Sequence, residues 1–177
     1  MFYLKKKSDE FAAFKQYKAW AKRQLSTTLK CRHFDWGELL SNEQKAYMVE
    51  NRIETQMSMP DSPQQNGQVE RFQQTIVNGA EAMRHHACLS NGFWIYAVKA
   101  KLHTYNVTPI KRADFKTPTE LWSGIKPNIS YLRVFGCQAW VHILKKRRYK
   151  LAPKSQEMIF VGHKPGSKGY QFWDAAH

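Results

Sequence analysis

The sequence predicts an α/β domain followed by a small β module, and three observations carry that prediction. Val69, Phe72, Ile76, Ala80, Met83 and Ala87 recur at steps of three and four, which is the core stripe of an amphipathic helix. On its N-terminal side, short β-type runs at 28–34 and 53–57 alternate with helical stretches, the order expected of a sheet flanked by helices. Past Pro127 the apolar period changes from helical to alternating.

The elements follow in order. Phe2, Tyr3 and Leu4 have strand character, and with no turn or cap before them they read as the end of a sheet begun further upstream. Ser8 is a reasonable N-cap for a first helix at 9–25, with Asp9 and Glu10 in its first turn. Phe11, Phe14, Tyr17, Ala21 and Leu25 then lie on one side, and Lys15, Lys18, Lys22 and Arg23 line the outside. Residues 28–34 read as a strand. Ser41-Asn42-Glu43-Gln44 is a capping box that opens a short helix closed by Asn51. Ile53, Thr55 and Met57, alternating with Glu54 and Gln56, give the next strand, which leads into a Pro-, Ser- and Gln-rich loop after Pro60.

Asn66 is a plausible N-cap for the central helix at 67–88, which would put Glu70 in the first turn, where the helix dipole favours a carboxylate. Glu70 lies one position off the buried stripe. Its position suits either a metal ligand facing a groove or a simple complement to the dipole. Residues 93–105 form another helix, with Trp94, Ala97 and Val98 inward and Lys99 and Lys101 outward. Thr117-Pro118-Thr119-Glu120 combines an N-cap, proline at the first helical position and an acid at the third, so a short helix starts there and stops at Gly124. Residues 134–144, 158–161 and 170–173 read as strands, separated by basic KKRRYK at 145–150 and by KPGSKG at 164–169. Lys145, Lys146, Arg147 and Arg148 suit a solvated hairpin tip, a phosphate contact or a nuclear-import signal.

Charge and cysteine use narrow the function classes. Among 177 residues, 28 are Lys or Arg and 14 are Asp or Glu, for a net charge of +14. That balance points to a polyanionic partner, nucleic acid before membrane. The three cysteines Cys31, Cys88 and Cys137 are odd in number and far apart, so they imply no disulfide framework and a reducing compartment. His85, His86 and Cys88 are too crowded for the paired spacings of a structural zinc site. The sequence shows no apolar run long enough for a bilayer and no secretory signal, so it is expected not to be secreted.

Pro63-Gln64-Gln65-Asn66-Gly67 followed by Glu70-Arg71 resembles the PQQNGxxER signature of copia-type retrotransposon integrases. KKKSDEFAAFKQYKAW is similar to the helix before that family's second catalytic strand, and FDWGELLSNEQKAYMVENRIETQMSMP to the segment after it. TPTELWSGIKPNISYLRVFGCQAWVHI is similar to the region that follows the catalytic core, so the resemblance covers essentially the whole chain. It implies an RNase H-like core at 1–126, lacking its first strands, followed by an SH3-like module at 127–177. In the family, carboxylates hold Mg²⁺ or Mn²⁺ for in-line displacement at phosphorus. Glu70 matches the last of the three catalytic acids. Counting back by the family's spacing lands on Phe34, and the nearest acid is Asp35, one residue late. Side chains alternate along a strand, so that offset points Asp35 to the other face unless a bulge re-aims it. The resemblance puts the first acid further upstream.

By the same resemblance, Gln65, Asn66 and Arg71 lie near the active-site loop, where amide and guanidinium groups hold DNA backbone. Turn formation for Asn66 and a surface ion pair for Arg71 are the ordinary alternatives. Three functions remain open. The chain is a non-catalytic integrase fragment that binds nucleic acid, an active integrase subunit whose missing strand comes from elsewhere, or a basic nucleic-acid-binding adaptor. DNA or RNA and other integrase chains are the expected partners, with no small-molecule substrate. The nucleus is the expected location if the chain is functional, and otherwise the cytoplasm.

Overall fold

The computed structural model describes residues 2–34, 40–57, 63–164 and 166–174, the side chains of 63–66 and 68 excepted. It is a mixed α/β structure divided into two compact units, Met1–Val69 and Glu70–His177. The boundary expected near residue 126 falls inside the second unit.

In the first unit, Phe2, Tyr3 and Leu4 are not in a strand and their side chains are exposed. Strand propensity expresses packing on a pleated surface, and among the described residues Phe2, Tyr3 and Leu4 join no sheet. A 3₁₀ turn, Lys7–Asp9, precedes α1 (Glu10–Leu25). Ser8 sits inside that turn and does not cap the helix. The reason is local: the Asp9 carboxylate accepts the Lys6 backbone N–H at 3.2 Å, so the chain turns earlier than the Ser8 reading requires.

The capping box forms as expected at the start of α2 (Asn42–Glu50). The Ser41 hydroxyl accepts the Gln44 N–H at 3.2 Å, and the Gln44 side chain accepts the Ser41 N–H at 2.9 Å. Asn51 closes the helix, its side-chain amide donating to the Tyr47 carbonyl at 2.9 Å. Two of the four basic residues placed on the outside of α1 are instead tied to α2. Lys15 pairs with Glu43 at 3.0 Å and lies 4.1 Å over the Phe11 ring, and Lys18 reaches the Tyr47 hydroxyl and Asn51. Long basic side chains lay their stems along apolar surface, and an outward heptad position does not forbid that.

Strands β1 (Cys31–Phe34) and β2 (Glu54–Met57) pair in parallel, with Cys31 opposite Glu54 and Phe34 opposite Met57. The core of this unit is Phe11, Phe34, Met48 and Ile53. Thr55 and Met57 do not face it, because all four residues of β2 are exposed. An alternating sequence buries one face only where another layer covers it. Arg32 lies between rings, its guanidinium 4.0 Å over Phe14 and 4.4 Å over Phe34, and it pairs with Glu10.

Helix α3 (Pro63–His86) carries the chain into the second unit, which continues with α4 (Trp94–Asn106), α5 (Pro118–Ser123) and strands β3 (Gln138–His142), β4 (Ser155–His163) and β5 (Tyr170–Trp173). The three strands form an antiparallel sheet in the order β3-β4-β5. One core joins helices and sheet: Ile76 and Ala80 on α3, Ala97, Val98 and Ala100 on α4, Phe135 before β3, and Val161 on β4. The small residues let the helices approach closely. At Gly79 an added Cβ would lie 2.3 Å from Lys101 Cε, so the Lys101 stem crosses α3 there and does not point outward. Trp94, expected inward, opens α4 and stays partly exposed. Helix α5 begins as its sequence predicts, with the Thr117 hydroxyl accepting the Glu120 N–H at 3.0 Å, Pro118 first, and Gly124 in the left-handed conformation.

The turn into β3 depends on Gly136. Its φ is +78°, and an added Cβ would meet the Ala87 Cβ at 2.2 Å. Gly136→Ala combines left-handed strain with overpacking, so it is expected to destabilise this unit by about 2–4 kcal/mol. Chemical denaturation checks this, with Gly124→Ala as a comparison, because an added Cβ at Gly124 meets nothing.

Candidate functional site

The resemblance centres on the start of α3, and there the helix begins earlier than expected. Pro63 is its first residue, so Asn66 lies within the helix and is not its N-cap. A proline suits that first position because its missing N–H would have no intrahelical partner anyway. Glu70 therefore falls in the third turn, beyond the reach of the N-terminal dipole argument. The Gln65 and Asn66 backbones are helical, and their side chains lie outside the described set. Glu70 is exposed and Arg71 is exposed beside it, the Arg71 carbonyl accepting the Thr75 hydroxyl at 2.8 Å. The stripe expected along this helix is buried at Ile76 and Ala80, while Val69 is 58% and Phe72 40% exposed.

Asp35 lies outside the described residues. Phe34, at the spacing of the second acid, is 4% exposed in the core of the first unit. Among the described residues no group of three His, Cys, Asp or Glu side chains is placed to hold a metal ion. A single exposed carboxylate does not make a Mg²⁺ site, which needs several oxygen ligands in fixed geometry.

The basic stretch lies between β3 and β4. Lys145, Lys146 and Arg147 form a 3₁₀ turn and are exposed, and Tyr149 beside them is 81% exposed. The strands hold the loop at its base, where the Ile143 N–H donates to the Lys154 carbonyl at 2.9 Å. Arg148 differs from the other three: it is half-buried, and its Nε is buried with no hydrogen-bond partner. The structure therefore brings together three of the four basic residues as one solvent-facing cluster.

A cluster not anticipated from the sequence joins α4, the segment before β3, and β4. The His103 and His163 rings are 4.7 Å apart, His103 Nε2 is 2.9 Å from the Tyr131 hydroxyl, and Tyr170 on β5 donates its hydroxyl to the Tyr131 carbonyl at 3.0 Å. These residues come from distant parts of the chain, so no local spacing signals them. Burial lowers the pKa of His103, and His163 lowers it further by like-charge repulsion. His163 is lowered by burial as well, against a hydrogen bond with the Tyr131 backbone that acts the other way. A folded-state value below the unfolded one means that the unfolded chain binds more protons, so stability rises with pH and is lost as pH falls through the ordinary histidine range. The melting temperature is expected to drop between about pH 7.5 and 5.5, and His163→Gln is expected to flatten that dependence.

Residues 137–177 match the retroviral polymerase SH3-like domain, which covers β3 to β5. The whole chain is similar to longer proteins. It is 34% identical over 175 residues to the retrovirus-related Pol polyprotein from transposon TNT 1-94 of Nicotiana tabacum, covering 98% of this chain and 13% of that one. It is 27% identical over 168 residues to the corresponding polyproteins from transposons RE1 and RE2 of Arabidopsis thaliana, covering 94% of this chain and 11% of each of those. The chain thus spans roughly a tenth of the length of these relatives. With the SH3-like match at its C-terminal part and similarity running through nearly all of its length, the chain is similar to a segment of the retrovirus-related Pol polyproteins of transposons.

Proposed function

We propose that the chain is part of the integrase region of such a polyprotein, that it binds nucleic acid through charge, and that it does not catalyse integration. The integrase reading rests on the PQQNG and Glu70-Arg71 match inside a similarity that spans nearly the whole chain. On that reading, residues 1–126 belong to an RNase H-like core, and the parallel pairing of β1 with β2 is compatible with it. Nucleic-acid binding is supported by the net charge of +14 and by the exposed cluster Lys145, Lys146 and Arg147, which can neutralise phosphates without reading sequence. Gln65, Asn66 and Arg71 would contribute backbone contacts at the start of α3.

The observation against catalysis is Phe34. Where the resembled family has its second acid, this chain has an aromatic ring packed against Phe11, Met48 and Ile53. Glu70 without that acid cannot form the two-metal clamp. Two assays test the proposal together: DNA binding measured across a salt series, and strand transfer into plasmid with Glu70→Gln as control.

A further inference from the structure

The second unit contains a cavity of about 350 Å³ bounded by α3, α4, the segment before β3, and β4. That volume is in the range of small-molecule sites. Its polar lining is one-sided. His86, His103, Arg133 and His163 are all capable of positive charge, and no Asp or Glu is among the lining residues. Thr104 also lines it, but its hydroxyl is taken by the Ala100 carbonyl at 2.9 Å. The rest of the wall is apolar.

Two details show that, among the described residues, the two histidines have no carboxylate as hydrogen-bond partner. His163 Nε2 is buried with no hydrogen-bond partner. The His103 ring, 4.7 Å from that of His163, has only the neutral Tyr131 hydroxyl at its Nε2. Tyr170 and Phe160 pack on the other sides of His163, at ring distances of 5.4 and 5.3 Å, and bring no carboxylate. Arg133 is fixed beside the cavity by Nη1, which donates to the Ser130 and Leu132 carbonyls at 3.0 and 2.8 Å. A half-buried imidazole pair takes up protons more easily when an anion enters with them.

We propose that this cavity binds a phosphate-bearing ligand, with His103, His163 and Arg133 as its counter-charges and the apolar wall receiving the organic body. The phosphate belongs either to a free compound or to the terminal nucleotide of a nucleic-acid strand. Partial burial shifts both imidazoles toward the neutral form, so binding of an anion carries proton uptake with it, and affinity rises as pH falls by about tenfold per pH unit for each proton taken up.

The test uses the full chain with Lys145, Lys146 and Arg147 changed to Gln, so that anions held by the exposed loop do not contribute. Inorganic pyrophosphate, adenosine monophosphate and adenosine are titrated calorimetrically at about pH 6 and pH 8. Saturable binding of the two phosphates but not of adenosine, at least tenfold tighter at the lower pH, is expected. His163→Gln and His103→Gln are each expected to weaken it at least tenfold. If either variant fails to fold, movement of the wild-type His103 and His163 imidazole NMR signals on adding pyrophosphate provides the same readout. A 5′-phosphorylated oligonucleotide that moves those signals where its 5′-hydroxyl counterpart does not would assign the ligand to a strand end; movement with adenosine monophosphate alone would assign it to a free compound. Absence of saturable binding at both pH values, equal binding at both, or binding lost with the loop cluster and indifferent to the histidines would overturn the proposal. The loop variant's DNA affinity reports separately on the nucleic-acid reading.

Discussion

Purified chain incubated with Mg²⁺ or Mn²⁺, donor ends and plasmid is expected to give no strand-transfer product, and Phe34→Asp is expected to unfold the first unit without creating activity. The second expectation has the larger physical effect. Removing a buried Phe ring typically costs about 3–5 kcal/mol, and a small domain has only about 5–15 kcal/mol in total. Aspartate adds a charge among Phe11, Met48 and Ile53. Arg32, whose guanidinium lies 4.4 Å over the ring, is already paired with Glu10. Circular dichroism and denaturant titration should therefore show loss of the cooperative transition of this unit, while Phe34→Leu stays within about 1.5 kcal/mol of the native chain. Glu70-dependent strand-transfer product from the unmodified chain would refute the non-catalytic reading.

DNA affinity is expected to fall steeply with salt and to be nearly indifferent to sequence. Each neutralised phosphate contributes about −0.9 to the slope of log K against log salt, so changing Lys145, Lys146 and Arg147 to Gln together should make the slope shallower by about 2 to 3. Adding Arg148→Gln should change the slope less than any one of those three, because Arg148 is half-buried and the other three face solvent. Fluorescence anisotropy on two unrelated duplexes across a salt series measures both quantities. A slope unchanged by the triple substitution would move the contact surface elsewhere; affinity independent of salt would remove the electrostatic argument altogether.

What was legible in the sequence was local chemistry. The Ser41 and Thr117 caps, the Gly124 stop and the strand at Tyr170–Trp173 fell where their residues put them, because each depends on groups within a few positions. The readings that failed required knowledge of a neighbour. Ser8 was displaced from the cap position by the turn that Asp9 closes onto Lys6, and Lys15, Lys18 and Lys101 were drawn onto adjacent helices by Glu43, Asn51 and the notch at Gly79. Asn66 was misread because an amide residue before an apolar stripe looks like a cap, whereas Pro63 three residues earlier was the stronger signal. Phe34 could be singled out by counting, but its burial depends on Met48 and Ile53 reaching it from later in the chain. The histidine cavity could not be found by spacing at all, since its walls come from four separate segments.

The parallel pair β1 and β2 has a consequence for how molecules of this protein meet one another. Among the described residues it is a ladder of two strands, so each strand has an outer edge, and β2 is exposed along its whole length. An outer edge displays backbone N–H and C=O groups at a fixed repeat, and any extended segment can dock there by completing the ladder. Parallel ladders in other folds sit between neighbouring strands with helices over both faces. In this unit such docking is expected to make association depend on protein concentration as well as on temperature.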